Sequence, residues 1–163
     1  MYIYDQKTAL VTGASTGIGY ALAQELAKKG SKLILTATAR SEDKLHALAD
    51  ELKSSGTEAH VFIKDLSEIG AAEELFNEIK SSGLDIDLLI NNAGYGRWGE
   101  LTSIDKDDYA SMIQLNVVAL TDLCHLCIPD MIAKGEGGII NVGSMASLSP
   151  IPYAGIYSST KAY

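Results

Sequence analysis

Short apolar runs rich in β-branched residues alternate with longer segments of helical period along this chain. The strand-like runs begin at Lys7, Lys32, Ala59, Ile86 and Gly137. Parallel strands need a crossover connection, and a right-handed crossover returns over the face of the sheet. The alternation therefore predicts an α/β fold, a doubly wound parallel sheet in three αβα layers. In such a fold, ligands bind beyond the carboxyl ends of the strands.

The helical segments follow from apolar residues spaced three or four apart, as at Ile18, Leu22 and Leu26. Helices are predicted over residues 18–29, 43–54, 67–81 and 105–134, and a further helix starts near the end of the chain. With 163 residues, of which 47% are hydrophobic, the chain can fill one core. We therefore expect a single domain over residues 1–163.

Charge and composition argue against several functions. The net charge of −8 repels a nucleic-acid backbone, so no nucleic-acid partner is expected. No run approaches the roughly eighteen apolar residues of a membrane span, and the N-terminus has no basic start. We therefore expect no membrane partner and a cytoplasmic location. Cys124 and Cys127 lie in an apolar helical run and are expected to be buried thiols, and the dispersed histidines predict no metal site.

The first strand ends in “TGASTGIG”, residues 12–19, which leads directly into a helix. Glycines at Gly13, Gly17 and Gly19 allow a tight turn and let a pyrophosphate approach backbone N–H groups at the positive helix end. A glycine triplet alone is weak support for a nucleotide site. Its place after the first strand of a βαβ unit favours nucleotide binding over a plain strand-to-helix turn.

Four further signals appear in a fixed order along the chain. “NNAG” spans residues 91–94, Ser144 follows the fifth strand, and Tyr157 and Lys161 come thirteen and seventeen residues later. Together with the glycine spacing, they make the chain resemble the short-chain dehydrogenase/reductase family over essentially its whole length. The resemblance implies a Rossmann fold that lacks its C-terminal strands, so that residues 1–163 form a domain incomplete at its C-terminus.

The resemblance also implies which residues bind the dinucleotide. Asp65 and Leu66 match adenine-contacting positions, although Asp65 could simply cap the following helix. The “NNAG” segment matches residues along the adenosine ribose, although asparagines can also form an ordinary turn. The full set of expected cofactor contacts is Gly13, Ser15, Thr16, Gly17, Ile18, Gly19, Arg40, Asp65, Leu66, Asn92, Ala93, Gly94, Tyr157 and Lys161.

The end of the second strand favours NADP (NADPH) over NAD. An acidic side chain there would hydrogen-bond the ribose hydroxyls of NAD and repel a 2′-phosphate, and the stretch from Thr36 to Arg40 contains no acid. An arginine can pair with phosphate through two hydrogen bonds, so Arg40 is the expected partner of the 2′-phosphate. The alternative is that Arg40 is a solvated loop residue.

Tyr157 and Lys161 lie four apart and so share one helix face. Lowering the pKa of a phenol from about 10 to about 7 requires roughly 4 kcal/mol. An ammonium about 4 Å away supplies about that much at an effective dielectric of 20. The resemblance implies that Tyr157 is the general acid in reduction and the base in oxidation. It further implies that Lys161 acidifies the phenol and holds the nicotinamide ribose, that Ser144 bonds the substrate oxygen, and that Asn116 holds a relay water.

These expectations amount to an NADP-dependent oxidoreductase that interconverts a carbonyl and an alcohol. Aromatic residues such as Tyr95, Trp98 and Tyr153 fall in loops near the proposed chemistry, so a hydrophobic small-molecule substrate is expected. The resemblance also implies a homodimer or homotetramer. Two alternatives stay open: a non-catalytic nucleotide-binding module, and an inactive fragment of such an enzyme.

Overall fold

The structure is a computed structural model that describes residues 4–37, 41–149 and 151–163. Five strands alternate with helices in the predicted order. The strands are β1 (Thr8–Thr12), β2 (Lys32–Ala37), β3 (Ala59–Ile63), β4 (Leu88–Asn91) and β5 (Gly138–Asn141). The helices are α1 (Gly17–Lys28), α2 (Glu42–Ser54), α3 (Ala71–Ser81), α4 (Lys106–Ile113), α5 (Leu120–Lys134) and α6 (Gly155–Ala162).

All five strands are parallel, in the order β3-β2-β1-β4-β5. The order reverses at β1, whose neighbours are β2 and β4, and this reversal is where a doubly wound sheet leaves a crevice for ligands. The carboxyl ends of β1 and β4 meet there, with Val11 paired to Ile90. The predicted doubly wound sheet is therefore confirmed.

Helices cover both faces of the sheet and enclose two apolar cores. On one face, residues of α1 and α2 such as Leu26 and Leu48 pack on alternate residues of β1 and β2. On the other face, α3 and α5 bury Leu75 and Leu123 against the remaining strand residues, including Leu10. Strands buried on both sides need continuous apolar runs, and this explains the composition of β1, β2 and β4.

One long helix was predicted over residues 105–134, and the structure divides it into three parts. Helices α4 and α5 are joined by a π-helical segment, Gln114–Ala119. The combined helix, Lys106–Lys134, is by length and composition alone apolar enough to cross a membrane, contrary to the sequence expectation. Core helices of soluble proteins pass the same test, and Leu123 and Met131 are buried against the sheet. That the protein has no membrane partner stays a prediction.

Several boundaries differ from the sequence prediction. Helix α3 begins at Ala71 and not near residue 67, because Asp65 accepts hydrogen bonds from Ser67 and starts a turn there. Strand β4 begins at Leu88, two residues after the predicted start at Ile86. Cys127 is buried, and burial raises the pKa of its thiol to about 12. The expectation of an unreactive buried thiol is thus confirmed for Cys127, while Cys124 is partly exposed.

Candidate active site

A cavity of about 430 Å³ opens beyond the carboxyl ends of the strands. It brings together the glycine loop, the “NNAG” segment, the end of β3 and the first turns of α6. Of the expected catalytic and cofactor-binding residues that the structure describes, Gly17, Gly19, Asn116 and Ser144 do not line it. The lining residues are Gly13, Ser15, Thr16, Ile18, Thr36, Ser41, Lys64, Asp65, Leu66, Ser67, Asn92, Ala93, Gly94, Tyr95, Leu115, Val142, Gly143, Tyr157 and Lys161.

The glycine loop between β1 and α1 forms one wall of the cavity. Gly13 and Gly17 have φ values of +65° and +61°, a backbone conformation that side chains rarely adopt. A Cβ on Gly17 would meet nothing within 4 Å, so the backbone here faces open space. An exposed backbone at a helix N-terminus is suited to bind a phosphate group.

Thr12 and Asn92 fix the glycine loop to the end of β4. The Thr12 hydroxyl donates to the Ile90 carbonyl and accepts from the N–H groups of Asn92 and Ala93 at 3.0 and 2.9 Å. In return, the Asn92 amide donates to the carbonyls of Thr12 and Gly13 at 2.9 and 3.2 Å. These bonds give Asn92 a structural role in shaping the cavity. The “NNAG” motif alone does not show that Thr12 is the hydrogen-bond partner of Asn92.

The end of the cavity near β2 and β3 carries polar groups that sequence analysis missed. The Thr36 hydroxyl is fully buried, lines the cavity and has no hydrogen-bond partner among the described residues. Lys64 also lines this end, and its ammonium pairs with Glu74 and Glu78 on α3. The predicted contact Arg40 lies outside the described residues.

Asp65 and Leu66 lie where the resemblance implies an adenine site, since both line the cavity. One oxygen of Asp65 accepts from the backbone N–H and hydroxyl of Ser67 at 3.0 and 2.6 Å. Asp65 therefore forms a local turn and does not cap α3, whose N-cap is Gly70. The alternative that Asp65 caps the following helix is wrong, and its contact with adenine stays a prediction.

Tyr157 and Lys161 lie on one face of α6 and line the cavity together. The Lys161 ammonium donates to the Val142 carbonyl at 3.1 Å, just beyond β5. Burial lowers the pKa of the Lys161 ammonium, because the charged form loses water contacts. The pair thus places a phenol and a half-buried cation in the same cavity as the glycine loop.

Asn116 contacts α6 through Thr160, and neither Asn116 nor Ser144 lines the cavity. The Asn116 side chain is 2% exposed, accepts from the Tyr95 N–H at 3.1 Å, and donates to the Tyr95 carbonyl and the Thr160 hydroxyl. The Ser144 hydroxyl accepts from the Ala146 N–H at 3.1 Å. The roles expected for Asn116 in holding a water and for Ser144 in binding substrate stay predictions.

The loop from Gly94 to Gly99 forms the rim next to Tyr157. The Tyr95 hydroxyl donates to the Asp108 carbonyl at 3.1 Å, and the Arg97 guanidinium pairs with the Asp108 carboxylate at 3.3 Å. Arg97 also lies over the Tyr95 ring. No group of three or more histidine, cysteine, aspartate or glutamate side chains suited to a metal occurs in the described part of the chain.

Comparison with known families agrees with this geometry. The family model described as short chain dehydrogenase matches residues 7–163. The chain belongs to the short-chain dehydrogenase family. Relatives in this family include proteins named as reductases and dehydrogenases. The sequence resemblance based on the glycine loop, “NNAG”, Ser144, Tyr157 and Lys161 is confirmed at the level of the family.

The chain also resembles individual members of this family. It is 34% identical to the very-long-chain 3-oxoacyl-CoA reductase of Mus musculus over 163 residues, covering 95% of this chain and 50% of that protein. It is 33% identical to the reductase of the same name from Homo sapiens over 162 residues, again covering 95% and 50%. The chain thus spans about half the length of the curated relatives it matches.

Solved structures show the same fold. A metagenomic short-chain oxidoreductase in complex with NADP is 33% identical, with a TM-score of 0.89 and coverage of 98% of this chain and 71% of that one. A Burkholderia phymatum short-chain dehydrogenase/reductase in complex with NAD is 32% identical, with a TM-score of 0.90 and coverage of 99% and 57%. Structural neighbours therefore include proteins with either nicotinamide cofactor.

Proposed function

We propose that this protein is an NADP-dependent oxidoreductase that interconverts a carbonyl and an alcohol, with Tyr157 as the acid/base. One observation carries the proposal. Tyr157 and Lys161 line the same cavity as the glycine loop and the “NNAG” segment. A module that only bound a nucleotide would need the glycine loop alone, so the shared cavity favours an enzyme over the non-catalytic alternative.

The cavity suits a dinucleotide. The glycine loop lines the cavity through Gly13, Ser15 and Thr16 at the N-terminus of α1, and the buried Thr36 hydroxyl has no hydrogen-bond partner among the described residues. The glycine loop would hold the pyrophosphate, Asp65 and Leu66 the adenine, and Asn92 to Gly94 the ribose. NADPH, when bound, supplies the hydride. The preference for NADP over NAD rests on Arg40 and on the NADP-bound relatives, and it stays a proposal.

Within this function, Tyr157 donates a proton to the substrate oxygen during reduction and accepts it during oxidation. Lys161 carries its charge in a half-buried position on the same helix face, where low solvation strengthens its field. Its bond to the Val142 carbonyl holds the ammonium in place without cofactor. A cation held in place in this way can stabilise charge that develops on the substrate during the reaction.

We further propose a mainly apolar ketone or 3-oxoacyl thioester as substrate. The relatives named as 3-oxoacyl-CoA reductases and as a 3-oxoacyl (acyl-carrier-protein) reductase with NADP bound support this class. A homodimer or homotetramer is supported by apolar side chains exposed along one long helix, among them Ile113, Ile128 and Ile132. The cytoplasmic location stays a prediction from the sequence.

The proton-transfer role is tested by changing Tyr157 to phenylalanine in the full-length protein. Removing the hydroxyl removes the acid, so carbonyl-dependent NADPH oxidation should fall by at least about a hundredfold, the low end of general acid catalysis. The dissociation constant for NADPH, measured by fluorescence titration, should change little. Tyr163→Phe is the matched control, because Tyr163 is largely exposed and does not line the cofactor cavity. Retained turnover in Tyr157→Phe would refute the role.

A further inference from the structure

Trp98 lies against the proposed catalytic tyrosine. The centroids of the Trp98 and Tyr157 rings are 5.2 Å apart, and their planes meet at 43°. This tilted arrangement falls within the favourable range for aromatic pairs. Trp98 is nevertheless 57% exposed, so much of its indole surface faces outward next to the phenol. A large apolar surface at such a place can contact a bound substrate.

Gly96 makes this ring contact possible. A Cβ built on Gly96 would lie 2.7 Å from two atoms of the Trp98 ring and 2.9 Å from the Tyr157 ring. Gly96 is not among the glycines with positive φ, so its backbone conformation does not itself require glycine. The missing side chain therefore leaves room for the two rings to touch.

The loop that carries Trp98 is held on both sides. On one side, Tyr95 and Arg97 bond to Asp108 at the start of α4. On the other side, the Gly99 N–H donates to the Tyr153 carbonyl at 2.8 Å. These bonds flank the indole and fix the backbone that bears it. Trp98 thus keeps its place beside Tyr157 without help from a bound molecule.

A second cavity, of about 510 Å³, is lined by sequence neighbours of both rings. Arg97 and Gly99 flank Trp98 in the chain, and Ile156 precedes Tyr157. Tyr157 itself lines the cofactor cavity, and the Trp98 ring lies against it. Much of the second lining is apolar, including Leu101 and Tyr153.

We propose that Trp98 is a specificity-determining residue of this enzyme. Its exposed indole supports the apolar substituent of the carbonyl substrate, and it directs that substituent from the Tyr157 hydroxyl towards the second cavity. Substrates with an aromatic or extended apolar group are favoured over small ones for this reason. The inference rests on the proposed function, since it assigns a substrate contact for the same reaction.

The test compares two ketones that differ by one group, ethyl phenyl ketone and ethyl methyl ketone, in the full-length protein with NADPH. Trp98→Ala should lower kcat/KM for the phenyl ketone about tenfold, mainly through KM, which corresponds to about 1.4 kcal/mol. The value for the methyl ketone should stay nearly unchanged. Trp98→Phe should recover most of the preference, because it keeps an aromatic face.

Gly96→Ala serves as a second variant that leaves the indole in the chain but displaces it from Tyr157. It should reduce the preference for the phenyl ketone in the same direction. An equal loss for both ketones in Trp98→Ala would mean a purely structural role and would overturn the proposal. An unchanged preference would overturn it as well. NADPH affinity is measured alongside and should not change.

A binding measurement separates this inference from the proposed function. If the unchanged protein oxidises no NADPH with either ketone, the proposed function fails for these substrates. Equilibrium dialysis of ethyl phenyl ketone in the presence of NADPH then decides the role of Trp98. Binding about tenfold weaker in Trp98→Ala would support the assignment. Equal binding by both proteins, or binding by neither, would overturn it.

Discussion

At Gly19, a side chain is excluded by neighbouring atoms and not by the backbone angle. A Cβ there would overlap the Asn92 amide and the Gly13 carbonyl oxygen. The carbonyl belongs to the rigid loop and cannot move aside as a flexible side chain would. Gly19 therefore sets how closely α1 approaches the end of β4, and through this distance it sets the shape of the cofactor cavity.

We expect Gly19→Ala to weaken NADPH binding by about tenfold or more and to lower the free energy of unfolding by about 1–3 kcal/mol, the usual cost of overpacking. Calorimetric titration and urea denaturation measure the two effects. Gly155→Ala is the control, because a Cβ there meets nothing within 4 Å and its φ is not positive. Normal NADPH affinity in Gly19→Ala would contradict this account.

At the residue scale, sequence reasoning found the glycine loop and “NNAG” because their spacing is local. It missed Thr12 and Thr36, whose importance comes from contacts across the sheet. Thr12 meets residues about 80 positions away, and no local pattern records that distance. Trp98 was noticed only as an aromatic residue in a nearby loop, and its contact with Tyr157 became visible only in three dimensions.

Among the secondary-structure elements, the π-helical segment Gln114–Ala119 joins α4 to α5 within one continuous helix. Segments of this kind are often found at functional sites. Here Asn116 lies within the segment and bonds both to Tyr95 in the rim loop and to Thr160 on α6. The long helix, the rim loop and the tyrosine-bearing helix are thereby connected through one amide.

A double-mutant cycle on Asn116 and Thr160 tests this connection. Asn116→Ala leaves the partly buried Tyr95 N–H and carbonyl without their partner, so we expect the free energy of unfolding to fall by about 1–3 kcal/mol, the cost of unsatisfied polar groups. Thr160→Val should cost less, and the two changes should couple by about 0.5 kcal/mol or more. Urea denaturation of all four proteins gives the coupling energy, and strict additivity would contradict direct bonding.

The sequence predicts which segments are helices and which are strands, but it does not predict the π-helical segment or the exact start of α3. The spacing of apolar residues predicts one helix over residues 105–134. It does not predict the π-helical segment, which coincides with hydrogen bonds from Asn116 to residues distant in the sequence. The predicted start of α3 near residue 67 is too early, because residues 67–69 include no proline or glycine that would end or prevent a helix. The side chain of Asp65 forms the turn instead.

Across the whole molecule, the end of the sheet opposite the cavity is held by Asp87. Its carboxylate accepts from the Thr8 N–H at 3.0 Å and from the Lys134 ammonium at 2.8 Å, so it connects β1, β4 and α5. Burial alone would raise the pKa of Asp87. The Lys134 ammonium and the Thr8 N–H outweigh this effect and hold that pKa below its ordinary value.

Asp87→Asn should therefore lower stability in a pH-dependent way. A carboxylate with a lowered folded pKa contributes stability above its unfolded pKa of about 3.9, and that contribution is lost as pH falls through the folded pKa. At neutral pH we expect a loss of about 1–3 kcal/mol. Urea denaturation at pH 7 and below pH 4 should show the difference narrowing in acid.

The control for this measurement is Asp50→Asn, which removes an equal charge from an exposed position on α2. At each pH, this control should have nearly the same free energy of unfolding as the unchanged protein. A difference between the Asp87 variant and the unchanged protein that stayed constant down to pH 3 would contradict the titration argument. NADPH binding should survive in both variants, since Asp87 lies at the end of the sheet away from the cavity.

The topology of the whole molecule was predictable because alternating strands and helices permit few parallel arrangements. The strand order itself and the division of the core between two faces came from the structure. The position of Lys161 relative to β5 also needed three dimensions, since a carbonyl nineteen residues earlier accepts its bond.

That bond ties the position of the Lys161 ammonium to the backbone just beyond β5. Val142 follows β5 directly, and within the described ranges β5 pairs with β4 alone. Warming, or a peptide that displaced β5 from β4, would move the Val142 carbonyl, which accepts the hydrogen bond from the Lys161 ammonium. In the proposed reaction, turnover would then fall before the rest of the molecule unfolded, although every side chain assigned a role remained chemically intact.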